Sequence, residues 1–259
     1  MHRWAIVTDL DGTLLDHATY DWAPAAPTLA RLRAAGVPVI LASSKTAAEI
    51  GPLRDALGLS GVPAICENGG GVVPPGAGAT PDRAEHARVM AALAALPAEL
   101  RAPFRGFSEM SVAEVAALTG LPEREAARAR DRAFTEPGVW TGAKAARAAF
   151  ARALGVAGVA AREGGRFLTL GFGHTKADRM REVAASLGAT NLLALGDAPN
   201  DVEMLEAADR AAIVANPHRA PLPPLEGEAA GRILRTRAPG PEGWSCAVER
   251  ILCEAGVAL

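Results

Sequence analysis

Directly after the apolar run WAIV, the stretch TDLDGT (residues 8–13) sets two carboxylates, Asp9 and Asp11, two residues apart and before a glycine. On an extended segment such a spacing sends both side chains to the same side. Asp9 can then offer an oxygen as a nucleophile, and Asp11, further out, can serve as general acid and then base. A carboxylate is a poor nucleophile towards a phosphate dianion because like charges repel. The chemistry therefore needs a cation, and Mg²⁺ suits it: hard, six-coordinate and bound by a few oxygens plus a substrate phosphate. Gly12 allows a tight turn that would let the Asp11 carbonyl reach the metal too. A Ca-binding or merely acidic turn is the competing explanation for this stretch on its own.

Three further segments bear on the choice. ILASSK ends an apolar run with hydroxyls at Ser43 and Ser44 and a cation at Lys45. These groups suit phosphoryl oxygens and a second anionic group, although Ser44 or Thr46 would equally cap a following helix. GHTKADRM puts Lys176 at a helix start, where a cation opposes the helix dipole. The chain uses lysine only at 45, 144 and 176 and prefers arginine elsewhere, so Lys176 is expected to act as a point charge steadying a phosphoryl group and Asp9. LLALGDAPNDVEML adds Asp197 straight after an apolar run, with Asn200 and Asp201 around the next turn. Asp197 is expected as the second metal carboxylate. Asn200 and Asp201 are expected to hold the metal, its water, the lysine or the phosphate.

These polar groups need elements that bring them together. WAIVTDL, VPVILASS, VPAICENGG, LLALGDAPND and AAIVANP each have the length and unbroken apolar character of a buried strand. Helical patterns lie between them: APTLARLRAAG carries Leu29 and Leu32 on one face and stops at Gly36, and KADRMREVAASLGA carries Met180, Val183 and Leu187 and stops at Gly188. Strand and helix in alternation predict an α/β fold with a parallel sheet, whose ligands bind beyond the carboxyl ends of the strands. The middle is different. VVPPGAGATPDRAEH reads as a linker, Arg88–Leu118 and Pro122–Phe134 as helical, and FTEPGVWTG and GGRFLTLGFG as strands. Residues 77–172 are therefore expected to form an inserted α/β domain, with 1–76 and 173–259 forming the sheet domain around it.

Bulk properties narrow the function. The 259 residues are 49% hydrophobic and 22% charged, with a formal charge of −2, which gives no electrostatic reason to expect nucleic acid or an anionic membrane as partner. Cys66, Cys246 and Cys253 show no metal-ligand spacing and are expected to be buried, inert thiols. With no signal-like opening and no apolar stretch of the ~20 residues that span a bilayer, a cytoplasmic location is expected.

The order D-x-D-G-T, Ser, Lys, G-D-x-x-N-D resembles the haloacid dehalogenase superfamily of aspartate-nucleophile phosphohydrolases. The resemblance implies a Rossmann-like core, an aspartyl-phosphate intermediate and Mg²⁺. It implies Asp9 as nucleophile and metal ligand, Asp11 as acid/base and backbone metal ligand, Ser43 and Lys176 as phosphoryl binders, and Asp197 as metal ligand. Only about thirty residues separate Thr13 from Ser43, and the insertion falls after Ser43, which resembles the branch with an α/β cap of the second type. TDLDGTLLDHATYDW, ASSKTAAEI, ENGG, RAFTEP, GGRF and GDAPNDVEML are similar to the mannosyl-3-phosphoglycerate phosphatases along nearly the whole chain. That implies a small phosphorylated glycoside as substrate and a role in making a compatible solute. A carboxylate beside the phosphate would need a further cation, and Arg132 and Arg166 are the candidates, with Glu136 for sugar hydroxyls, Ser44, Lys45 and Thr46 in the selectivity loop, Asn68 at a strand end and Asn200 in the turn between Asp197 and Asp201. A looser sugar phosphatase, a glucosyl-3-phosphoglycerate phosphatase, a phosphosugar mutase and a non-catalytic phosphoryl-binding regulator are the alternatives.

Overall fold

The computed structural model describes residues 3–76, 78–164 and 166–259; residue 77, at the expected domain boundary, and Gly165 of GGRF lie outside the described residues. A parallel sheet of five strands carries the first and last parts of the chain: β1 (Trp4–Thr8), β2 (Val39–Leu41), β9 (Asn191–Gly196), β10 (Arg210–Ala215) and β11 (Ile233–Pro239), in the order β11-β10-β9-β1-β2. A hairpin of β3 (Ala64–Cys66) and β4 (Gly71–Val73) adjoins its β2 edge through the bridge between Ala42 and Ile65. Ile6, Leu41, Leu193 and Leu195 point to one side of the sheet, onto helix Gly240–Glu254 and its Trp244. Val7, Ile40, Ala194 and Ile213 point to the other, onto helix Lys176–Ser186. Both faces are covered, which is why the strands read as unbroken apolar runs.

Between β4 and helix Lys176–Ser186 stands an antiparallel sheet of β5 (Phe104–Gly106), β6 (Glu136–Trp140), β7 (Ala160–Gly164) and β8 (Phe167–Gly171), ordered β5-β6-β8-β7. Helices Ala84–Ala94 and Lys144–Gly155 bury Val89, Leu93, Phe150 and Leu154 against Phe104, Leu168 and Leu170 on one face of it. Helices Val112–Thr119 and Glu123–Arg130 pack as a hairpin around Phe107, Met110, Val115 and Ala126. The α/β fold with a parallel core sheet is the one expected. The helical reading of Arg88–Leu118 is not: β5 interrupts it, because Phe104 is drawn into the cluster beside Phe150 while Gly106 abuts Glu136.

A buried carboxylate joins the two sheets. Glu67, at the end of β3, accepts the backbone N–H groups of Ala133 (2.8 Å), Phe134 (3.2 Å) and Thr135 (2.7 Å) and the Thr135 hydroxyl (2.7 Å), with Arg132 Nε 3.3 Å away. Thr46, the cap of helix Ala47–Ala56, donates its hydroxyl to the Arg128 carbonyl at 2.9 Å. Of the cysteines only Cys66 is buried. Cys246 and Cys253 are exposed, contrary to expectation, since a spacing of seven puts both on the solvent stripe of the amphipathic helix Gly240–Glu254.

Candidate active site

Strand order builds the site. β10, β9, β1 and β2 are neighbours in that order, and adjacent strands lie about 4.8 Å apart. The residues just past their carboxyl ends, Asn216, Asp197, Asp9 and Ser43, therefore stand in a row along one edge of the sheet. The chain leaves β1 towards β2 on one side, while β9 returns to pair on its other side, so the row spans the topological switch point where ligands bind in such sheets.

Asp9, Asp197 and Asp201 are buried, and one oxygen from each lies within 4.8 Å of the others. Lys176, only 1% exposed, is their cation: Nζ donates to Asp9 Oδ1 at 2.6 Å and to Asp201 Oδ1 at 2.7 Å. Asp201 Oδ2 accepts the backbone N–H groups of Asp197 (3.1 Å) and Ala198 (3.0 Å), which fixes the Asp197 turn. Asp197 in turn accepts from Thr13 Oγ1 (3.1 Å) and Asn216 Nδ2 (2.8 Å), with Arg219 Nε 3.5 Å away. Helix Lys176–Ser186 is started by Thr175 and Asp178 in a reciprocal cap, which plants Lys176 at the sheet edge.

Three carboxylates around one ammonium leave negative charge to be balanced. Burial, reinforced by the charges of Asp201 and Asp197, outweighs the pull of Lys176 and pushes Asp9 up to about 7. Burial, together with Asp201, likewise raises Asp197 above the usual carboxylate range against its hydrogen bonds from Asn216 and Thr13. Lys176 moves the other way: burial would lower it, but Asp201 and Asp9 together raise it. A site that penalises its own carboxylate charges in this way suits a divalent cation, and hard oxygen donors suit Mg²⁺. The cluster can hold a metal ion.

Asp11 points elsewhere. Its Oδ2 pairs with Lys45 Nζ at 2.8 Å, and its Oδ1 is buried without a hydrogen-bond partner. Burial works to lower Lys45, but Asp11 and Glu49 leave it raised overall. Ser43 is buried and its Oγ accepts the Lys45 N–H at 3.2 Å. Ser44 is exposed, and Thr46 caps its helix and binds the Arg128 carbonyl.

A cavity of about 290 Å³ opens at Lys176. Its core wall holds Asn68, Lys176 and Asn200, and its opposite wall holds Arg162, Thr169 and Gly171 of the antiparallel sheet. Asn200 Nδ2 donates to Asn68 Oδ1 at 3.0 Å across the floor. His174 lines the same cavity.

Three residues expected here are used differently. Arg132 donates to Thr135 Oγ1 (2.8 Å) and sits beside Glu67, so its guanidinium braces the joint between the sheets. Glu136 is fully buried, bound by His86 Nε2 (2.7 Å) and by the Ser108 N–H and hydroxyl (2.8 Å each). It sits opposite Leu170 in the register, on the inward face of β6. Arg166 donates to the Leu118 (3.3 Å) and Thr119 (3.1 Å) carbonyls, closing the end of helix Val112–Thr119. None of the three lines the cavity. Asn216 and Arg162 were missed. Asn216 carries the same signal as Asp9 and Asp197, a polar residue directly after an apolar strand. Arg162 had no signal beyond being one arginine among many.

Gly12 supplies a prediction. Its φ of 86° is one that side chains rarely adopt, and a methyl there would overlap the Asn216 amide and come within 3.1 Å of Asp197 Oδ2. Gly12→Ala is expected to weaken Mg²⁺ affinity by about 10-fold or more by displacing the group that orients Asp197. Calorimetric Mg²⁺ titration of the two proteins checks it.

Backbone strain also gathers at this end of the molecule. Among the described residues, the non-glycine positions with positive φ are Tyr20 (58°), Glu67 (52°) and Asn68 (58°). Left-handed backbone costs an L-residue about 1–2 kcal/mol. Glu67 and Asn68 line the cavity, and Tyr20 lies beside Lys45.

A family model of haloacid dehalogenase-like hydrolases matches residues 6–88 and 169–220, just over half of the chain. Solved structures agree in fold. BT1666, a superfamily phosphatase from Bacteroides thetaiotaomicron, superposes with a TM-score of 0.66 at 17% identity over 99% of this chain and 96% of its own. A haloacid dehalogenase-like hydrolase from the same organism gives 0.66 at 21% identity over 97% of this chain and 100% of its own. The sucrose-phosphatase of Synechocystis sp. PCC6803, in complex with sucrose and phosphate, gives 0.62 at 12% identity over 100% of both chains. With the carboxylate–lysine cluster at its switch point, this chain belongs to the haloacid dehalogenase-like hydrolases.

Proposed function

We propose that the protein is a Mg²⁺-dependent phosphatase of a small phosphorylated glycoside, with mannosyl-3-phosphoglycerate as the substrate and mannosylglycerate and phosphate as products. The observation that carries the reading is the cluster of Asp9, Asp197 and Asp201 beside Lys176, which also lines a cavity between two sheets. Asp9 attacks phosphorus in line through the oxygen that Lys176 leaves free. Asp11, released from Lys45 and protonated, turns to the leaving glycerate oxygen and gives it its proton, then as a carboxylate takes one from the water that attacks the aspartyl phosphate. Ser43 and Lys176 bind the equatorial oxygens as charge develops on them. Asp9 and Asp197 would hold the metal with the Asp11 carbonyl, while Asp201, whose oxygens already serve Lys176 and two backbone N–H groups, steadies them. The metal supplies a positive charge that lets an anionic nucleophile meet an anionic phosphate.

Residues 77–172 act as the cap, and their sheet forms the selective wall. Arg162, which lines the cavity, replaces Arg132 and Arg166 as the cation for the glycerate carboxylate. Phosphate release from glycosyl phosphoglycerates, 3-phosphoglycerate and hexose phosphates, with and without Mg²⁺, tests the reading. Turnover is expected to need Mg²⁺ and to be fastest with mannosyl-3-phosphoglycerate. A flat response across the panel makes the protein a broad sugar phosphatase.

A further inference from the structure

The segment DHATYDW (residues 16–22) lies beside the site, with His17 Nδ1 3.3 Å from Asn216 Nδ2 and Tyr20 next to Lys45, and takes no part in the chemistry above. It forms a turn pinned on both sides of Tyr20. Asp16 N–H donates to the Asp21 carbonyl at 2.9 Å and Tyr20 N–H to the Asp16 carbonyl at 3.0 Å. The Asp16 carboxylate accepts the N–H groups of Ala18 (3.0 Å) and Thr19 (2.8 Å), and Asp21 accepts that of Ala23 (2.9 Å). None of these bonds uses the tyrosine side chain. Glycine or asparagine is the ordinary occupant of a position at φ 58°; this one holds the chain's single tyrosine, with half of its surface exposed. A strained backbone under an exposed aromatic ring, where a smaller residue would sit without strain, points to a use for the ring.

The ring's position says what that use is. Lys45 Nζ lies 5.1 Å from its centroid, and the same nitrogen is 2.8 Å from Asp11 Oδ2. These two contacts through one nitrogen place the ring near Asp11, the residue given the leaving oxygen, so a group attached beyond that oxygen can reach the ring face that Lys45 leaves open. An aromatic face carries negative charge density and favours the slightly positive C–H bonds that one face of a pyranose presents. We propose that Tyr20 is the platform on which the sugar ring of the substrate stacks, a specificity residue supplied by the core. The inference rests on the glycoside reading of the preceding subsection.

Steady-state kinetics of wild type, Tyr20→Phe, Tyr20→Ala and Tyr20→Gly on mannosyl-3-phosphoglycerate and on 3-phosphoglycerate test it, the second substrate having the phosphate and carboxylate without the sugar. Tyr20→Ala is expected to raise KM for the glycosylated substrate about three- to tenfold, the range a ring-stacking contact provides, and to shrink the preference over 3-phosphoglycerate by the same factor. Tyr20→Phe keeps the preference. Tyr20→Gly matches the alanine variant in KM and melts higher than it, because the strained backbone is relieved. An unchanged preference in Tyr20→Ala, or a fall in kcat shared by both substrates, overturns the platform and leaves the glycoside phosphatase standing. A wild type without preference for the glycosylated substrate overturns both.

Discussion

Replacing Asp9 with Asn is expected to cut kcat by at least about ten-thousand-fold, since removal of a nucleophile costs enzymes of this kind that much or more. The loss should come without loss of fold. Asp9 is raised from 3.8 to about 7 in the folded protein, chiefly by burial. A raised acid stabilises the metal-free fold fully below pH 3.8, and that contribution is lost as the pH climbs through about 7. An amide carries no such penalty. Metal-free Asp9→Asn should therefore melt higher than metal-free wild type at pH 8, and the gap should narrow on acidification towards pH 4. Thermal melts in a chelator across that range check it. An inactive variant that is also less stable at pH 8 would point to a structural role for Asp9.

Lys176→Met is expected to fail in both respects. The lysine is buried and is the ammonium shared by Asp9 and Asp201. Its removal leaves those carboxylates unpaired, a loss of about 3–5 kcal/mol. Because Asp201 and Asp9 raise Lys176 above its usual value, the stability it confers is complete below pH 10.5 and fades only in stronger alkali, so wild type gains it in full at neutral pH. The deficit of the variant should shrink as acid protonates the carboxylates. Lys176→Arg should not restore turnover, since a planar guanidinium cannot take the place of a compact ammonium at a site 1% exposed. Denaturant unfolding at pH 5 and pH 8, with phosphate release, measures both effects.

The polar row at the sheet edge was legible because each of its residues stands at the end of an apolar strand. Asp9, Ser43 and Asp197 are polar groups placed where burial would otherwise continue, and parallel strands must end side by side. Asn216 obeyed the same rule and could have been read from it. The antiparallel sheet was less legible because its residues were judged by type. Glu136 takes one of the inward positions of β6, and its partners His86 and Ser108 come from distant segments. Arg166 is consumed by helix-end carbonyls, a need that only the packed helix Val112–Thr119 creates. Arg132 serves Glu67, whose four acceptor contacts could not be foreseen from ENGG. β5 was missed because it is three residues long and set among Ala- and Arg-rich helices, and β7 because AAREG is poor in the β-branched and aromatic residues that mark a strand.

The most direct measurement is to trap the nucleophile. With an aryl phosphate as substrate, whose leaving group needs no proton, Asp11→Asn should slow hydrolysis of the phosphorylated enzyme more than its formation, because only the second step then relies on Asp11. That variant, mixed with substrate and Mg²⁺ and quenched in acid, should gain the mass of one phosphoryl group, confined to the peptide that contains Asp9. Borohydride treatment should then leave homoserine at position 9. Product formed with no phosphoryl group on that peptide, or the label found on Asp197 or another side chain, would contradict attack by Asp9.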